Sequence, residues 1–209
     1  MTTINENKKA EETPRTKREF KAVMARCRDI YEKKTRDYGT SWRVLRLPSL
    51  TDQIFIKANR IRSIEESGEN RVGENLDAEF IAMVNYAVMA LIQQELGPDD
   101  GQDLPLERAM ELYDKHLIRA AELMLDKNHD YGEAWRMMRV GSMVDLILMK
   151  LRRIKQIEDN EGHTLVSEGV EGGYMDIINY SIFCLIRRGA GVEEEKKRMA
   201  DATATIVNE

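Results

Sequence analysis

Apolar residues recur every three or four positions in two separate parts of the chain, which is the spacing of an amphipathic helix. The first stripe holds Leu50, Ile54, Ile61 and Ile64, and the second holds Met143, Ile147, Ile154 and Ile157. A polar, glycine-containing segment follows each stripe, at residues 67–76 and 159–173. Next comes a stretch that is apolar on nearly every side, "NYAVMALIQ" or "NYSIFCLIR". Such a stretch predicts a helix at the centre of the fold.

The two parts are copies of each other. With a shift of 93 residues, the phrase "DYGTSWR" aligns on "DYGEAWR", and "KANRI" aligns on "KLRRI". After one inserted residue the register recovers, so that the first "NY" meets the second. A match that survives a loop in this way indicates an internal duplication, and a repeat of this kind determines how the whole fold is interpreted.

Each copy is predicted to hold three helices. The first helix ends at Gly39 or Gly132, because glycine easily adopts the left-handed conformation that follows a helix. The second begins at Ser49 or Ser142 with the pattern Ser-x-x-Asp, which is typical of a capping box. We therefore interpret Asp52 and Asp145 as helix caps. The third helix carries the Asn-Tyr phrase.

We predict an all-α fold, a helical bundle built from two pseudo-twofold-related three-helix repeats. One repeat alone is too small to bury a core comfortably, so the two are expected to pack face to face. The predicted segments are a mobile N-terminus (1–18), the first repeat (19–95), a linker (96–106), the second repeat (107–190) and a mobile C-terminal tail (191–209).

Composition narrows the classes of function. The formal net charge of −5 disfavours direct DNA binding, which requires a basic face. The two cysteines make neither a disulfide framework nor a closed zinc site. The N-terminal residues hold no apolar signal segment, and the longest apolar run, 80–92, is shorter than a membrane span. We therefore expect a cytoplasmic protein with no membrane partner, as a monomer or a homodimer.

Two cationic pairs occur in both repeats at the same places. Lys57/Arg60 and Lys150/Arg153 lie three residues apart, which puts both cations on one face of the second helix. A second set comes one loop earlier and consists of Arg43, Arg46, Arg136 and Arg139. Such convergence suits an anionic ligand, because the planar fork of arginine matches phosphate oxygens. The alternative is that these cations pair with carboxylates of the neighbouring repeat.

Carboxylates precede and begin the third helix of the second repeat. Glu168, Glu171 and Asp176 form the string Glu-x-x-Glu-x₄-Asp. Oxygen ligands beside a phosphate-binding face are what Mg²⁺ requires, so these three are the candidate metal ligands and catalytic residues. Asp176 is replaced by Ala82 in the first repeat, which favours a metal site in the second.

The remaining repeated polar and aromatic residues have two interpretations. Trp42 and Trp135 are either core anchors or surfaces on which a base stacks. The Asn-Tyr pairs either tie helices together or contact a ligand. The candidate ligand-binding residues, besides the cations above, are Asp37, Tyr38, Trp42, Asn85 and Tyr86 in the first repeat, and Asp130, Tyr131, Trp135, Asn179 and Tyr180 in the second.

The order Asp-Tyr-Gly, Lys-x-x-Arg-Ile and Asp-x-x-Asn-Tyr resembles the nucleotide modification associated domain 1 family. The pattern covers residues 34–66 with 76–92 and again 127–186, and the second copy matches more fully. The resemblance implies a role in nucleotide or modified-base metabolism. The chain is more distantly similar to the all-alpha nucleoside triphosphate pyrophosphatases, which hold magnesium with Glu-x-x-Glu and Glu-x-x-Asp on paired helices. It departs from them because its Glu-x-x-Glu lies in a predicted loop.

Two hypotheses of function follow. The first is a protein that binds a nucleotide or another phosphorylated small molecule in a cleft between the repeats, as a magnesium-dependent hydrolase or a modified-nucleotide factor. The second is a non-enzymatic helical adaptor in which the repeated charges form an ion-pair network between the repeats.

Overall fold

The structure is a computed structural model that describes residues 3–71, 73, 75–97, 101, 103–165 and 169–189, with side chains from residue 15 onward. It holds six α-helices and, within the described residues, no strand. The helices are α1 (Thr3–Tyr38), α2 (Leu47–Ser67), α3 (Leu76–Leu96), α4 (Leu106–Tyr131), α5 (Val140–Asp159) and α6 (Glu171–Arg187). Short 3₁₀ helices, Ser41–Val44 and Ala134–Met137, precede α2 and α5. The all-α class and three helices per repeat are confirmed.

The glycine of each Asp-Tyr-Gly phrase ends the first helix of its repeat, as predicted. Gly39 and Gly132 have φ of +66° and +59°, which a residue with a side chain rarely adopts. Their backbone N–H groups donate to Thr35 and Asn128, and both hydrogen bonds are 2.9 Å long. The chain therefore turns sharply into the 3₁₀ helix that carries the tryptophan of each repeat.

The predicted capping boxes are wrong. α2 and α5 begin two residues before Ser49 and Ser142, and their N-cap residues, Arg46 and Arg139, make no side-chain capping hydrogen bond. The preceding 3₁₀ turn leads directly into each helix, so the serines lie inside the first turn.

The carboxylates interpreted as caps instead reach the other repeat. Asp52 pairs with Lys155 at 2.5 Å, and Arg62 pairs with Asp145. Residues 52 and 62 correspond to 145 and 155 in the repeat register, so the two ion pairs are reciprocal. Reciprocal contacts are the signature of a twofold interface, here formed inside one chain where α2 packs on α5.

The third helices occupy the centre of the bundle. α3 packs on α2 and α6, and α6 packs on α5 as well. Most of the positions along both helices are buried, including Val84, Val88, Ile178 and Ile182. Among the described residues α3 is the one helix long and apolar enough to cross a membrane, and 72% of its most apolar window is buried inside the protein. A helix at the core of a globular protein can be as apolar as a membrane-spanning helix, so composition alone does not distinguish the two.

The folded part of the first repeat begins before the predicted boundary at residue 19. α1 starts at Thr3, and the buried side chain of Thr16 hydrogen-bonds with Glu133 of the second repeat. The predicted C-terminal tail, 191–209, lies outside the described residues.

Candidate functional site

Each repeat encloses a pocket between its first helix, its 3₁₀ helix and its third helix. The first-repeat pocket has a volume of about 430 Å³, and the second-repeat pocket about 310 Å³. Their walls correspond in the repeat register: Tyr31 and Met124, Lys34 and Lys127, Tyr38 and Tyr131, Trp42 and Trp135, Asn85 and Asn179, Tyr86 and Tyr180, and Met89 and Phe183. The repeated residues thus converge inside each repeat, whereas the sequence predicts a cleft between the repeats.

A further pocket, here called the cationic pocket, adjoins the second-repeat pocket. It has a volume of about 450 Å³, and its charged walls are Lys127, Lys150, Arg153 and Asp176. Three of these four, all except Arg153, also line the second-repeat pocket. The remaining polar surface comes from the backbone of Gly169, Gly172 and Gly173 at the start of α6. The two pockets are therefore neighbours on either side of one charged cluster.

Asp176 is the centre of that cluster. Its carboxylate lies 2.5 Å from the Lys127 ammonium and 2.7 Å from the Lys150 ammonium. The Asp176 side chain is 15% exposed, so both attractions act in a partly desolvated setting. Three cations and one carboxylate give the walls of the cationic pocket a positive balance.

The first repeat holds its cations differently. Lys57 lies 3.2 Å from the Glu79 carboxylate, and Arg60 binds the same carboxylate. Glu79 is 2% exposed and lies one helical turn before Ala82, the counterpart of Asp176. Gly173 is the counterpart of Glu79. The carboxylate has therefore moved by one turn between the repeats, and in each case it belongs to the same repeat as the lysine.

The arginines around the 3₁₀ helices fix the fold and do not converge on the pockets. Arg43 is buried and donates to Gln93 and to the Gly97 carbonyl oxygen, the latter at 3.1 Å. Arg136 pairs with Glu19 of the first repeat and with Glu133, both at 2.7 Å. Arg46 and Arg139 are exposed where α2 and α5 begin. The four arginines are absent from the described pocket walls.

The tryptophans are core anchors. Trp135 is 5% exposed, and its ring stacks on Phe183 with centroids 4.2 Å apart. The Arg136 guanidinium also lies 4.4 Å from the centre of the indole ring. Trp42 is buried in the same way. The Trp135 ring is therefore part of a pocket wall with both of its faces covered, and Trp42 lines the first-repeat pocket as a buried residue.

The tyrosines of the Asp-Tyr-Gly phrases supply the accessible aromatic surface. Tyr38 is 55% exposed and Tyr131 is 74% exposed, each at the mouth of its pocket. Tyr180, half-buried, lies beside Tyr131; burial, with the nearby Asp176 carboxylate, raises the pKa of Tyr180 and keeps its hydroxyl protonated. Asp37 and Asp130 are exposed and contribute to no described pocket wall.

The repeated asparagines tie the helices of each repeat together. Asn85 donates to the Cys27 carbonyl oxygen at 3.3 Å, and Asn179 donates to the corresponding Ala120 oxygen at 2.9 Å. Each asparagine therefore links the third helix of its repeat to the first, and the bond also satisfies the amide group of a buried side chain. The asparagine side chain forms the inner end of each pocket.

The predicted magnesium ligands do not form a cluster in the described part of the chain. Glu171 pairs with Arg119. The corresponding residues of the first repeat, Asp77 and Arg26, form the same pair at 3.6 Å. Asp176 pairs with two lysines, and Glu168 lies outside the described residues. Within the described ranges no three His, Cys, Asp or Glu side chains lie close enough to hold a metal. Glu171 and Asp176, each facing cations, do not fit a site for a second positive ion, and the complete prediction stays untested.

The sequence analysis did not name the pocket lysines, Lys34 and Lys127, or the difference between Glu79 and Gly173. Lys34 and Lys127 are repeated at the same shift as the tyrosines, so the internal alignment contained the signal for them. The exchange of Glu79 for Gly173 gave no such signal, because it appears only where the two copies differ.

A family model described as nucleotide modification associated domain 1 matches residues 34–94 and 127–187, which together make up more than half of the chain. Each matched range starts at the repeated lysine of the pocket wall and ends in the third helix of its repeat. No curated protein and no solved structure matches the chain. The chain belongs to the nucleotide modification associated domain 1 family and carries two tandem copies of the domain.

Proposed function

We propose that the second repeat binds a nucleotide, with the nucleoside in the second-repeat pocket and the phosphate in the cationic pocket. The two pockets share Lys127, Lys150 and Asp176, so the two parts of one ligand would lie on either side of this cluster. Their volumes of about 310 and 450 Å³ fall in the range of small-molecule sites.

The observation that carries this proposal is Glu79. In the first repeat its carboxylate lies between the Lys-x-x-Arg cations, Lys57 and Arg60. In the second repeat the corresponding cations, Lys150 and Arg153, line the cationic pocket, Gly173 replaces Glu79, and Lys150 pairs with Asp176 at 2.7 Å instead. Glu79 thus marks a position at which an anion binds this motif, and we propose that a ligand phosphate takes the corresponding position beside Lys150 and Arg153.

Two further features favour a phosphate over a carboxylate ligand. Gly172 and Gly173 line the pocket in the first turn of α6, the end of the helix at which the dipole is positive and favours an anion. A phosphate also carries more charge and more acceptor oxygens than a carboxylate, and the lysine and arginine groups can satisfy them.

The second-repeat pocket suits a nucleoside. Its walls combine apolar side chains, such as Met124 and Met138, with the exposed ring of Tyr131. An aromatic ring at the mouth of an apolar pocket stabilises a stacked base by about 1–3 kcal/mol. The Tyr180 hydroxyl and the Lys127 ammonium add polar groups that select the orientation of the ligand.

The test replaces Gly173 with the residue that fills the same place in the first repeat. Gly173→Glu supplies an internal carboxylate, and Gly173→Gln supplies the same volume without the charge. An added Cβ here would lie 2.9 Å from Cδ1 and 3.0 Å from Cγ1 of the buried Ile154, so this side chain must shift, and it must do so equally in both variants. Calorimetric titration with nucleoside 5′-mono-, di- and triphosphates measures binding.

We expect the wild-type protein to bind at least one nucleotide and Gly173→Glu to bind it about tenfold or more weakly than Gly173→Gln, because like charges repel in the pocket. Equal affinities in the two variants would show that the phosphate is held elsewhere. No binding by the wild type would remove the proposal.

Magnesium enters the proposal only with the ligand. Because Asp176 and Glu171 already pair with cations, a resident ion has no described carboxylate pair to hold it. We therefore place Mg²⁺, if hydrolysis occurs, on the phosphates of the bound nucleotide, where it neutralises charge. Titrations with and without Mg²⁺, followed by phosphate release, test this step.

The adaptor hypothesis retains one supporting observation, the network of ion pairs between the repeats. It includes Arg28–Asp114 at 2.7 Å and Arg188–Asp77 at 2.6 Å, besides the reciprocal pairs of α2 and α5. These pairs use other residues than the Lys-x-x-Arg cations. If the protein is an adaptor, the Gly173→Glu variant should therefore keep its fold and its ion pairs between the repeats.

A further inference from the structure

We propose that the first-repeat pocket is a second ligand site, which holds a flat aromatic or heterocyclic molecule and binds the anionic group of that molecule with Lys34. This site goes beyond the proposed function, because it uses no residue of the second repeat. It also differs in charge, since among the described residues one cation lines the first-repeat pocket and three line the cationic pocket.

Lys34 is the single charged side chain in the described wall of the first-repeat pocket. It lies one helical turn before the exposed Tyr38, so both residues share a face of α1 at the mouth of the pocket. Its counterpart, Lys127, is held at 2.5 Å by Asp176, but Ala82 stands at the position of Asp176 in the first repeat. Lys34 forms no ion pair with a described residue, so its charge is available to an anionic ligand.

Two described carboxylates lie close to the mouth, but neither lines the pocket. Asp37 follows Lys34 by three residues and is exposed, so solvent screens its charge. Asp103 lies against Gly39, and its Oδ1 accepts hydrogen bonds from the backbone N–H and the hydroxyl of Thr40, both at 3.1 Å. The described wall itself therefore carries a positive charge.

The rest of the pocket suits a flat ring. Tyr38, 55% exposed, stands at the mouth with Tyr86 close beside it, and the buried side chains of Trp42 and Tyr31 also line the pocket. The volume of about 430 Å³ lies within the usual range of small-molecule sites. Stacking on an aromatic side chain stabilises a base by about 1–3 kcal/mol. A ring with its charge at the mouth therefore matches this pocket.

Two buried polar groups of the wall leave hydrogen-bonding capacity for a ligand. Tyr31 is 1% exposed and Trp42 is 8% exposed, and neither the Tyr31 hydroxyl nor the Trp42 indole N–H completes a hydrogen bond with a described residue. Burial raises the pKa of Tyr31 to about 12, and the nearby Thr35 hydroxyl and Trp42 N–H oppose the rise only in part. Because an unpaired buried polar group costs about 1–3 kcal/mol, an acceptor on the ligand would stabilise the site.

The test transfers the carboxylate of the second repeat to the first. Ala82→Asp places an acid where Asp176 binds Lys127 in the other copy, and Ala82→Asn supplies the same volume without the charge. In the full chain, Trp135→Phe leaves Trp42 as the one tryptophan, a fluorescent reporter in the first-repeat pocket.

Each variant, once its melting curve shows that it is folded, is titrated with two sets of matched probes. The phosphate set compares the four common 2′-deoxynucleoside 5′-monophosphates with their nucleosides. The carboxylate set compares nicotinate with nicotinamide, which has the same ring and no charge. The two sets distinguish a phosphate from a carboxylate as the anionic group.

We expect at least one anionic probe to change the Trp42 fluorescence and to bind about fivefold or more tightly than its neutral partner, because charge-assisted hydrogen bonds are strong. Ala82→Asp should weaken binding of that anion about fivefold or more relative to Ala82→Asn, because the new carboxylate pairs with Lys34 and repels the ligand. Lys34→Gln should remove the preference for the anion, and Lys34→Arg, which keeps the charge, should restore most of it.

Equal binding of the anionic and neutral probes, or no Trp42 response to any probe, overturns the second site. Equal anion binding by Ala82→Asp and Ala82→Asn also overturns it. If Trp135→Phe does not fold, calorimetric titration of Gly173→Glu with the same changes at Ala82 and Lys34 gives the comparison with both tryptophans present.

The proposed function fails or stands separately. In Trp42→Phe, Trp135 is the reporter of the second-repeat pocket. A Trp135 response to monophosphates, with Trp42 silent in the other background, keeps the proposed function and removes the second site. Trp135 silent to every monophosphate, with Trp42 selective for an anionic probe, removes the proposed function and keeps the second site.

Discussion

The third helices of the two repeats carry their key carboxylate one turn apart. Glu79 in α3 lies deep against Lys57 and Arg60, and Asp176 in α6 lies between Lys127 and Lys150. The backbone path and the cations are the same in both repeats. The shift of one turn therefore changes which cations the carboxylate contacts: both cations of the Lys-x-x-Arg motif in the first repeat, and Lys150 with Lys127 of α4 in the second.

A second difference lies in the core, behind the pockets. The side-chain oxygen of Asn85 accepts a 2.7 Å hydrogen bond from the Tyr113 hydroxyl. Phe20 stands at the position of Tyr113 in the other copy, and the buried Asn179 oxygen has no hydrogen-bond partner among the described residues. The duplicated fold thus tolerates an unequal set of internal hydrogen bonds, and Asn85 is better satisfied than Asn179.

The carboxylate exchange predicts unequal losses of stability. Glu79→Gln removes a charge from a site where Lys57 and Arg60 are 30% and 22% exposed. Breaking a fully buried pair costs about 3–5 kcal/mol, so we expect about 2–3 kcal/mol here. Asp176→Asn faces Lys150, 22% exposed, and the more exposed Lys127, 47%, and should cost less, about 1–2 kcal/mol. Urea unfolding followed by circular dichroism measures both.

The order of the two losses is the decisive test: Glu79→Gln should lose more stability than Asp176→Asn. A larger loss for Asp176→Asn would mean that the second repeat closes its cations as firmly as the first. High salt should reduce the Asp176 effect more than the Glu79 effect, because exposed charges are screened more strongly.

The core difference predicts opposite effects of two conservative changes. Tyr113→Phe leaves the Asn85 oxygen without its donor and should cost about 1–2 kcal/mol. Phe20→Tyr places a hydroxyl toward the Asn179 oxygen and should stabilise the protein by about 0.5–1 kcal/mol. Thermal melting of the two variants and of the double variant provides the measurement. Destabilisation by Phe20→Tyr would mean that the second repeat has no room for the hydroxyl.

The fold followed from the sequence because its signals repeat. Each repeat has one apolar stripe, in α2 or α5, and one glycine directly after Tyr38 or Tyr131. A pattern that occurs in both repeats is less often a chance match than one that occurs once. The helix starts were wrong because a Ser-x-x-Asp pattern is local, whereas Asp52 and Asp145 act across the interface of α2 and α5.

The candidate site was only partly predictable for the same reason. Lys150 and Arg153 were selected because both repeats keep them, and they do line a pocket. The arginines of the 3₁₀ helices were selected by the same rule, yet Arg43 and Arg136 hold the fold. Repetition marks a residue as required without saying whether packing or a ligand requires it. Distances between side chains and their burial supply that distinction.

The interface between the repeats contains one more unequal site, which we expect to make stability depend on pH. Thr51 of α2 lies 2.7 Å from the Glu158 carboxylate of α5 and 2.7 Å from the Tyr174 hydroxyl of α6. The corresponding residues of the other copy are Val144, Glu65 and Phe80, so the hydroxyls are missing there. Burial raises the pKa of Glu158 above its ordinary value of 4.5, and the two hydroxyls only partly oppose this.

A raised pKa in the folded state makes the protonated carboxyl the favoured form. Below pH 4.5 both the folded and the unfolded states bind the proton, so the stabilising contribution is complete. As the pH rises through 4.5 toward the raised value, the unfolded state ionises first and the free energy of unfolding falls. Glu158→Gln should flatten this fall, and Glu65→Gln, the matched control in the exposed counterpart, should leave it in place. Urea midpoints measured from pH 4 to pH 8 test the pair, and an unchanged slope in Glu158→Gln would assign the pH dependence to other carboxylates.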